Sequence, residues 1–329
     1  MSEQIIVSIV CIAYNHGKYI ADAIEGFLMQ KTDFSLEIII HDDASTDDTA
    51  EIIMDYHEKH PDIIRPIIQK ENQHSQGAEI LSGIVFPELR GKYIAFCEGD
   101  DYWIDPDKLQ KQVEYMEAHP ECSVCFHGAY SVDSESRTIV SEIRSSDGDS
   151  IISPEEVIFA GGAAFATNSL LFPRVLLENV TYFNMGTEVR DYPLVIYLAL
   201  KGTVYYIDEI MSVYRVGVKG SWTNRKFSEI DKKIEHYREI ADMLDEVNRY
   251  SNYKYDSTIQ DRKKNNEWYL LLEQGKLKEA KSGEYRDIYM NLSFKNRVWI
   301  HLERYTPWLI DAWTDYKRKR RWKLENSKI

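Results

Sequence analysis

The sequence predicts an α/β fold in which helices cover a largely parallel sheet. Short β-type runs alternate with amphipathic stretches through the first half of the chain, a pattern typical of layered α/β domains. The first run, residues 5–12, is apolar throughout, which indicates a central strand buried on both faces. Beyond residue 222, Lys/Glu-rich helical patterns replace almost all β-type runs. We therefore expect an α/β domain over residues 1–222 and a helical domain over residues 223–329.

Local patterns predict the individual elements in chain order. Helices are expected where apolar residues recur at three- and four-residue spacing, as Ile20, Ile24 and Phe27 do. Residues 133–150 are polar with little periodicity and predict a loop over the sheet. The predicted strands cover residues 5–12, 37–40, 63–68, 92–97, 122–131, 163–172 and 204–207. Predicted helices cover residues 18–29, 79–87, 108–118 and 191–201, another begins at Asp47, and a helical hairpin covers residues 267–280.

The charge balance narrows the classes of partner. The 329 residues carry 54 acidic against 40 basic side chains, a formal net charge of −14. Because an acidic surface repels phosphate backbones, we expect no nucleic-acid partner, whereas a nucleotide diphosphate bound through a cation is compatible with this charge. No apolar run is long enough to predict a membrane-spanning helix, and the first residues lack the basic start of a signal peptide. A cytoplasmic location is therefore expected.

Two acidic clusters follow predicted strands, at the strand ends where open α/β sheets bind ligands. The first, Asp42 and Asp43, fits either a polar turn or a carboxylate that accepts a hydrogen bond from a base edge. The second brings Glu98, Asp100 and Asp101 within four positions. Three such carboxylates repel one another unless a cation lies between them, and their oxygen atoms suit Mg²⁺ or Mn²⁺. A solvated acidic turn is the alternative.

Residues 7–110 closely resemble the family 2 glycosyltransferases, whose GT-A fold has a Rossmann-like mixed sheet. The matching motifs are VSIV at 7–10, AYN at 13–15, DDASTD at 42–47, GKYI at 91–94, EGDD at 98–101 and PDKL at 106–109. The resemblance implies a nucleotide-sugar donor whose base is held by Tyr14 and Asp43. It also implies a DxD-type motif, in which Asp100 contacts the nucleotide-sugar or the metal and Asp101 binds the metal, Mn²⁺ or Mg²⁺. Glu98 stands where many relatives carry the first Asp, so it either reaches the ribose or makes no contact.

The same resemblance points to Asp191 as the catalytic base, at the start of a predicted helix. From the residues alone, Asp191 is also explained as a helix cap followed by Pro193 in the first turn. Arg190 stands where relatives carry a first acidic residue. Asn168 and Ser169 are expected near the acceptor, although packing inside the predicted strand explains them equally well.

The reaction that the resemblance implies is an inverting displacement in which Asp191 takes the proton of an acceptor hydroxyl. We expect a UDP-sugar as donor and a glycan or lipid-linked acceptor, in the synthesis of a polysaccharide or cell-surface glycan. In the family, a Tyr-Arg pair such as Tyr214 and Arg215 precedes a loop that folds over the diphosphate. The expected His is absent from this loop, and Lys219 is the nearest cationic residue.

Two other classes of protein compete with this interpretation. A catalytically silent nucleotide-sugar-binding partner of an active transferase is suggested by the departures at Glu98 and Arg190. A sugar nucleotidyltransferase would share the α/β layers and the metal. It would also need a Gly-rich, basic loop after the first strand, which residues 14–18 do not supply.

The C-terminal tail combines aromatic residues, among them Trp308 and Trp313, with the basic run at residues 317–321. Aromatic and basic residues together favour contact with an anionic membrane surface. We therefore expect peripheral contact with the inner face of a membrane. Packing of the tryptophans on the catalytic domain, with the basic end in solvent, is the alternative.

Overall fold

The computed structural model describes residues 4–163, 165–177, 191–221, 229–306 and 308. Their strands form one ten-stranded sheet. The strands are β1 (Ile5–Ala13), β2 (Ser35–Asp42), β3 (Ile64–Ile68), β4 (Tyr93–Phe96), β5 (Tyr102–Trp103), β6 (Cys122–Asp133), β7 (Ile139–Ile143), β8 (Ser150–Ile152), β9 (Leu171–Pro173) and β10 (Thr203–Val216).

Helices cover both faces of this sheet. They are α1 (Ile20–Leu28), α2 (Thr49–Lys59), α3 (Lys108–Ala118), α4 (Pro154–Ala160), α5 (Asp191–Ala199), α6 (Ile230–Tyr250), α7 (Asp256–Glu273), α8 (Leu277–Ala280), α9 (Arg286–Asn291) and α10 (Phe294–Tyr305). No helix among these described residues is both long and apolar enough to cross a membrane.

The strand order is β3-β2-β1-β4-β9-β6-β10-β5, with β7 paired to β6 and β8 paired to β10. β1 pairs in parallel with β2 and β4, and β10 pairs in parallel with β6. The short strand β9 runs antiparallel to both β4 and β6. The mixed but largely parallel sheet predicted from the sequence is therefore confirmed. Its parallel strands bring the carboxyl ends of β1, β2 and β4 to one edge.

Alternate residues of β1 enter two different hydrophobic clusters, one on each face of the sheet. Ile9 and Cys11 pack with α1 and α3, whereas Val10 packs with α5 and α6. This explains why β1 is apolar without alternation, since both of its faces are buried.

The helical C-terminal region begins by covering the sheet. Met243, Leu244 and Val247 of α6 belong to the same cluster as Val10. α7 and α8 form the predicted hairpin, which turns at Gly275 with a positive φ of 71°. Farther along, Trp268, Ala280 and Tyr289 form a separate small cluster. The predicted boundary at residue 222 lies outside the described residues and stays a prediction.

Three segments differ from the predicted elements. Residues 163–172 are not one strand: a 3-10 turn at Thr167–Ser169 precedes β9, because polar side chains there form hydrogen bonds that a strand would not allow. The predicted loop at 133–150 contains β7, which forms a hairpin with β6. The predicted helix at 79–87 is a π-helical turn, Ile80–Val85, followed by the 3-10 turn Phe86–Glu88.

Within the sheet, the buried carboxylate of Glu37 in β2 forms ion pairs with two partly exposed arginines, Arg65 and Arg90. Its carboxylate accepts hydrogen bonds from the Ser8 hydroxyl at 2.7 Å, from Arg65 at 2.9 Å and from Arg90 Nε at 2.7 Å. Burial alone would raise the pKa of Glu37, but the hydrogen bonds from Ser8, Arg90 and Arg65 outweigh it and hold the pKa below its usual value.

Glu37→Gln tests these ion pairs, because it keeps the side-chain shape and removes the charge. Since the pKa is lower in the folded than in the unfolded chain, the carboxylate stabilises the fold above the ordinary Glu pKa of about 4.3. That stabilisation disappears as the pH falls through the folded-state pKa. Urea titrations should show the variant less stable by about 3 kcal/mol at neutral pH, with a difference that shrinks in acid. Glu117→Gln, at the exposed pair with Lys92, is the control and should cost less than about 1 kcal/mol. A Glu37→Gln difference that is independent of pH would contradict the role given to the charge.

Candidate active site

The loops that follow β1, β2 and β4 meet at one edge of the sheet. The loop after β4 continues along the end of β1, where the Gly99 N–H donates to the Ile12 carbonyl at 3.0 Å. A Cβ on Gly99 would lie 2.9 Å from both His16 Nδ1 and Ile20 Cδ1, so a side chain at this position would push the two loops apart. The acidic residues that follow Gly99 are therefore held against the end of β1.

Asp100 and Asp101 are neighbours in the chain but lie in different environments. Asp101 is 1% exposed, and both of its carboxylate oxygens are engaged by protein donors. Asn168 Nδ2 donates to Oδ2 at 2.9 Å, and the backbone N–H of Arg215 donates to Oδ1 at 2.8 Å. Asp100 is half-buried, and its Oδ2 lies 3.9 Å from His16 Nε2. The accessible carboxylate of the pair is thus that of Asp100.

Two carboxyl groups of this turn, those of Glu98 and Asp101, have raised pKa values. Burial raises the pKa of Glu98 to about 8, and the charges of Asp100 and Asp191 add to the effect. Burial, with the charges of Asp100 and Glu98, also raises the pKa of Asp101 well above its usual range. Within the part of the chain that the structure describes, buried Glu98 Oε2 and His16 Nδ1 have no hydrogen-bond partner. When ionised, the turn therefore carries more negative charge and acceptor capacity than the described residues around it satisfy.

The carboxylate oxygens of this turn fit a hard divalent cation. The unpartnered oxygen of Glu98 and the accessible carboxylate of Asp100 are oxygen ligands of the kind that Mg²⁺ and Mn²⁺ prefer, and such ions also take water and phosphate oxygens. A preformed set of three or more His, Cys, Asp or Glu ligands does not occur among the described residues. The sequence predicted Asp101 as a metal ligand, but both of its oxygens already accept hydrogen bonds, and a metal could bind there only if those two bonds were exchanged. Asp100 is the carboxylate of the pair that is available to a metal.

Arg215 holds the acidic turn from behind. It lies in β10, and its Nη1 donates to the Asp100 carbonyl at 2.7 Å while Nη2 forms an ion pair with Asp22 of α1. Its guanidinium lies 4.3 Å from the ring centroid of Tyr102 and 5.1 Å from that of Tyr19. Arg215 is buried, and its guanidinium contacts the Asp100 carbonyl, Asp22 and both tyrosine rings. It therefore fixes the backbone of the turn.

Asp191 is the first residue of α5 and lies beside Thr167. Its Oδ2 accepts a hydrogen bond from Thr167 Oγ1 at 3.1 Å, and its Oδ1 accepts one from the Tyr192 N–H at 2.7 Å. Because its charge raises the pKa of Glu98, Asp191 belongs to the same electrostatic neighbourhood as the acidic turn. The predicted departure at Arg190 lies outside the described residues.

Tyr14 and Asp43 lie at the same edge, after β1 and β2. The Tyr14 side chain is 46% exposed, so its ring is open to stacking. Asp43 is buried, and its carboxylate accepts hydrogen bonds from the backbone N–H groups of Gln73, at 2.7 Å, and His74, at 3.0 Å. Asn15 ties the two loops together, since its side-chain oxygen accepts from the Thr46 N–H at 2.8 Å. The loops that carry Tyr14 and Asp43 are thus held against each other, and His16 of the first loop lies 3.9 Å from Asp100.

Thr167 was not predicted as a site residue, and Asn168 was expected near the acceptor, inside a strand. The structure places both in a 3-10 turn, where Thr167 donates a hydrogen bond to Asp191 and Asn168 donates one to Asp101. The position of Asn168 relative to the acceptor stays a prediction. The only local signal was a polar Thr-Asn-Ser run inside an otherwise apolar stretch.

Comparison with known proteins identifies the family. Residues 8–171 match the profile of glycosyl transferase family 2. A putative teichuronic acid biosynthesis glycosyltransferase of Bacillus subtilis is 30% identical over 238 residues, which cover 71% of this chain and 88% of that protein. This chain belongs to glycosyl transferase family 2.

Two further relatives are similar over most of the chain. An uncharacterised protein of Mycobacterium tuberculosis is 37% identical over 226 residues, which are 66% of this chain and only 60% of that protein's length. A UDP-Glc:alpha-D-GlcNAc-diphosphoundecaprenol beta-1,3-glucosyltransferase of Escherichia coli is 28% identical over 240 residues, covering 72% of this chain and 87% of that protein.

Solved structures confirm the GT-A fold. Staphylococcus aureus TarS 1–349 in complex with UDP-GlcNAc has a TM-score of 0.56 and 15% identity, and the match covers 81% of each chain. A mannosyltransferase from Pyrobaculum calidifontis, in complex with GDP-Man and Mn²⁺, has a TM-score of 0.55 and 15% identity, covering 95% of this chain and 84% of that one.

Proposed function

We propose that this chain is a metal-dependent, inverting glycosyltransferase that moves a sugar from a UDP-sugar to a hydroxyl of a glycan or lipid-linked acceptor. One observation carries the proposal: adjacent residues Thr167 and Asn168 donate hydrogen bonds to Asp191 and to Asp101, so the carboxylate at the start of α5 lies next to the acidic turn that holds Asp100. A carboxylate that faces the diphosphate and another that acts as base are what an inverting displacement needs at one site.

The donor lies across the ends of β1, β2 and β4. The ring of Tyr14 stacks on the nucleotide base. The loop that is held by the Asp43 carboxylate lies beside the same base. Uridine is proposed because the Escherichia coli relative acts on UDP-Glc and the Staphylococcus aureus structure contains UDP-GlcNAc. Asp100, with Glu98 beside it, would hold Mn²⁺ or Mg²⁺. When bound, this cation supplies positive charge to the departing diphosphate.

Asp191 acts on the acceptor. Its carboxylate takes the proton of the acceptor hydroxyl, whose oxygen forms a bond to the anomeric carbon while the bond from that carbon to the diphosphate oxygen breaks. The nucleotide diphosphate leaves with the electron pair of that bond. Because attack comes from the face opposite the leaving group, the anomeric configuration inverts and no covalent enzyme intermediate forms.

Release of nucleotide diphosphate from UDP-, dTDP- and GDP-sugars, measured with and without Mn²⁺ in the presence of acceptor glycans, tests this function. Wild type should turn over a UDP-sugar only with the metal. Asp100→Asn should abolish the response to metal, and Asp191→Asn should lower kcat by about 10²- to 10⁴-fold with little change in donor affinity. Asp62→Asn, at an exposed carboxylate away from the site, is the control. Tight metal-dependent binding of UDP-sugar without turnover would contradict the proposal and favour a silent binding partner.

The exposed face of α10 favours the proposal that the acceptor lies at a membrane. Phe294, Val298, Leu302 and Tyr305 recur at helical spacing, and all four are exposed. Residues 294–329 hold ten Lys and Arg against four Asp and Glu, the reverse of the chain as a whole. An apolar stripe beside basic residues binds anionic lipid, and each basic residue near the surface contributes about 1 kcal/mol. We propose that this face rests on an anionic bilayer that carries the acceptor.

Co-sedimentation with lipid vesicles tests the membrane contact. Wild type should bind phosphatidylglycerol vesicles and be released by salt, but should not bind neutral phosphatidylcholine vesicles. Leu302→Glu should abolish binding, whereas Ile151→Glu, which changes an equally apolar exposed residue of β8, should bind like wild type. Equal binding of both variants would exclude α10 as the contact.

A further inference from the structure

We propose that the 3-10 turn Thr167–Ser169 is the positioning element of the site, with Thr167 orienting the base Asp191 and Asn168 orienting the acidic turn. The proposal rests on the proposed function for the role of Asp191. It adds that two consecutive side chains set the distance between the base and the donor.

The two contacts diverge from adjacent positions. Thr167 Oγ1 donates to Asp191 Oδ2 at 3.1 Å. One residue later, Asn168 Nδ2 donates to Asp101 Oδ2 at 2.9 Å. Since Asp101 follows Asp100 directly in the chain, a fixed Asp101 also restrains the backbone from which the Asp100 carboxylate projects. A shift of the turn would therefore displace both functional groups together.

Asn168 is held on every side. Its Nδ2 also donates to the Val213 carbonyl at 3.0 Å, and its Oδ1 accepts from Ser212 Oγ at 2.6 Å. Its own carbonyl accepts from Trp103 Nε1 at 2.8 Å. This fully buried amide therefore has a single orientation, in which its N–H₂ group points to Asp101.

A second set of buried polar groups supports the turn from α3. Gln112 Nε2 donates to the Ser169 carbonyl at 2.9 Å, and Gln112 Oε1 accepts from Lys108 Nζ at 2.8 Å. Lys108 Nζ lies 4.0 Å from the ring centroid of Trp103, the residue that bonds Asn168. Lys108 therefore contacts both residues that support the turn, Gln112 and Trp103. Burial lowers the pKa of this lysine to about 7.

These contacts go beyond packing because their targets are the carboxylates of the proposed chemistry. Misplacement of a base by even 1 Å costs rate without a comparable loss of ground-state binding. The turn therefore affects kcat through Thr167 and donor affinity through Asn168, and the two effects can be measured separately.

Steady-state kinetics on Thr167 variants test the first contact. Thr167→Val keeps the shape and removes the hydroxyl, so kcat should fall about tenfold while the donor KM stays within about twofold. Thr167→Ser restores the hydroxyl that donates to Asp191 and should recover kcat to within about threefold of the wild-type value. Thr258→Val, a matched change on α7 outside the site, should match wild type in both constants. A Thr167→Val enzyme with wild-type kcat, or a loss that Thr167→Ser does not recover, would overturn the role of Thr167.

Titration calorimetry of UDP with Mn²⁺ tests the second contact without turnover. Ser212→Ala removes one bond that orients the Asn168 amide and should weaken UDP–Mn²⁺ binding about fivefold, with a smaller effect on kcat than Thr167→Val. Unchanged affinity would overturn the role of Asn168. Asp191→Asn measured in the same kinetic assay separates the two proposals: if this variant is inactive while Thr167→Val is normal, only the positioning role fails, whereas an active Asp191→Asn refutes the base itself.

Discussion

Repulsion among Glu98, Asp100 and Asp101 is the constraint on which the site depends. Three carboxylates within four residues cannot all be ionised in a half-buried turn without compensation. Of the three, Asp101 alone has both carboxylate oxygens engaged by hydrogen-bond donors among the described residues, namely Asn168 and the backbone N–H of Arg215. Asp100 is left accessible and one oxygen of Glu98 is left without a partner in the described chain. The remaining negative charge is available to a cation and the diphosphate that it accompanies.

The surrounding fold keeps this unfavourable turn in place. Parallel strands deliver it to the sheet edge, Gly99 lets it pass close to β1, and Arg215 holds its backbone from β10. The same strand supplies Ser212, which orients Asn168. β10 and the Thr167–Ser169 turn thus form a rigid frame, so that strain at the acidic turn is resisted by buried hydrogen bonds on two sides.

Local patterns in the sequence predicted the strands β1, β2, β4 and β6 and the acidic edge, because continuous apolar runs and their polar ends are local features. The role of Asp191 came from the family resemblance, since a lone Asp before Pro193 is also an ordinary helix cap. The bonds that complete the site join residues far apart in the chain: Asn168 is 67 positions from Asp101, and Arg215 is 114 positions from it. Such pairs leave no periodic signal, and the turn at 167–169 was interpreted as a strand because its neighbours are apolar.

The different environments of Asp100 and Asp101 are tested most directly by the anomalous signal of Mn²⁺ in crystals grown with UDP. We expect one Mn²⁺ peak at the Asp100 carboxylate, with Asp101 still bonded to Asn168 Nδ2 and to the Arg215 N–H. A peak on Asp101 with those two bonds broken, or Mn²⁺ bound to UDP without any carboxylate of this turn, would contradict it.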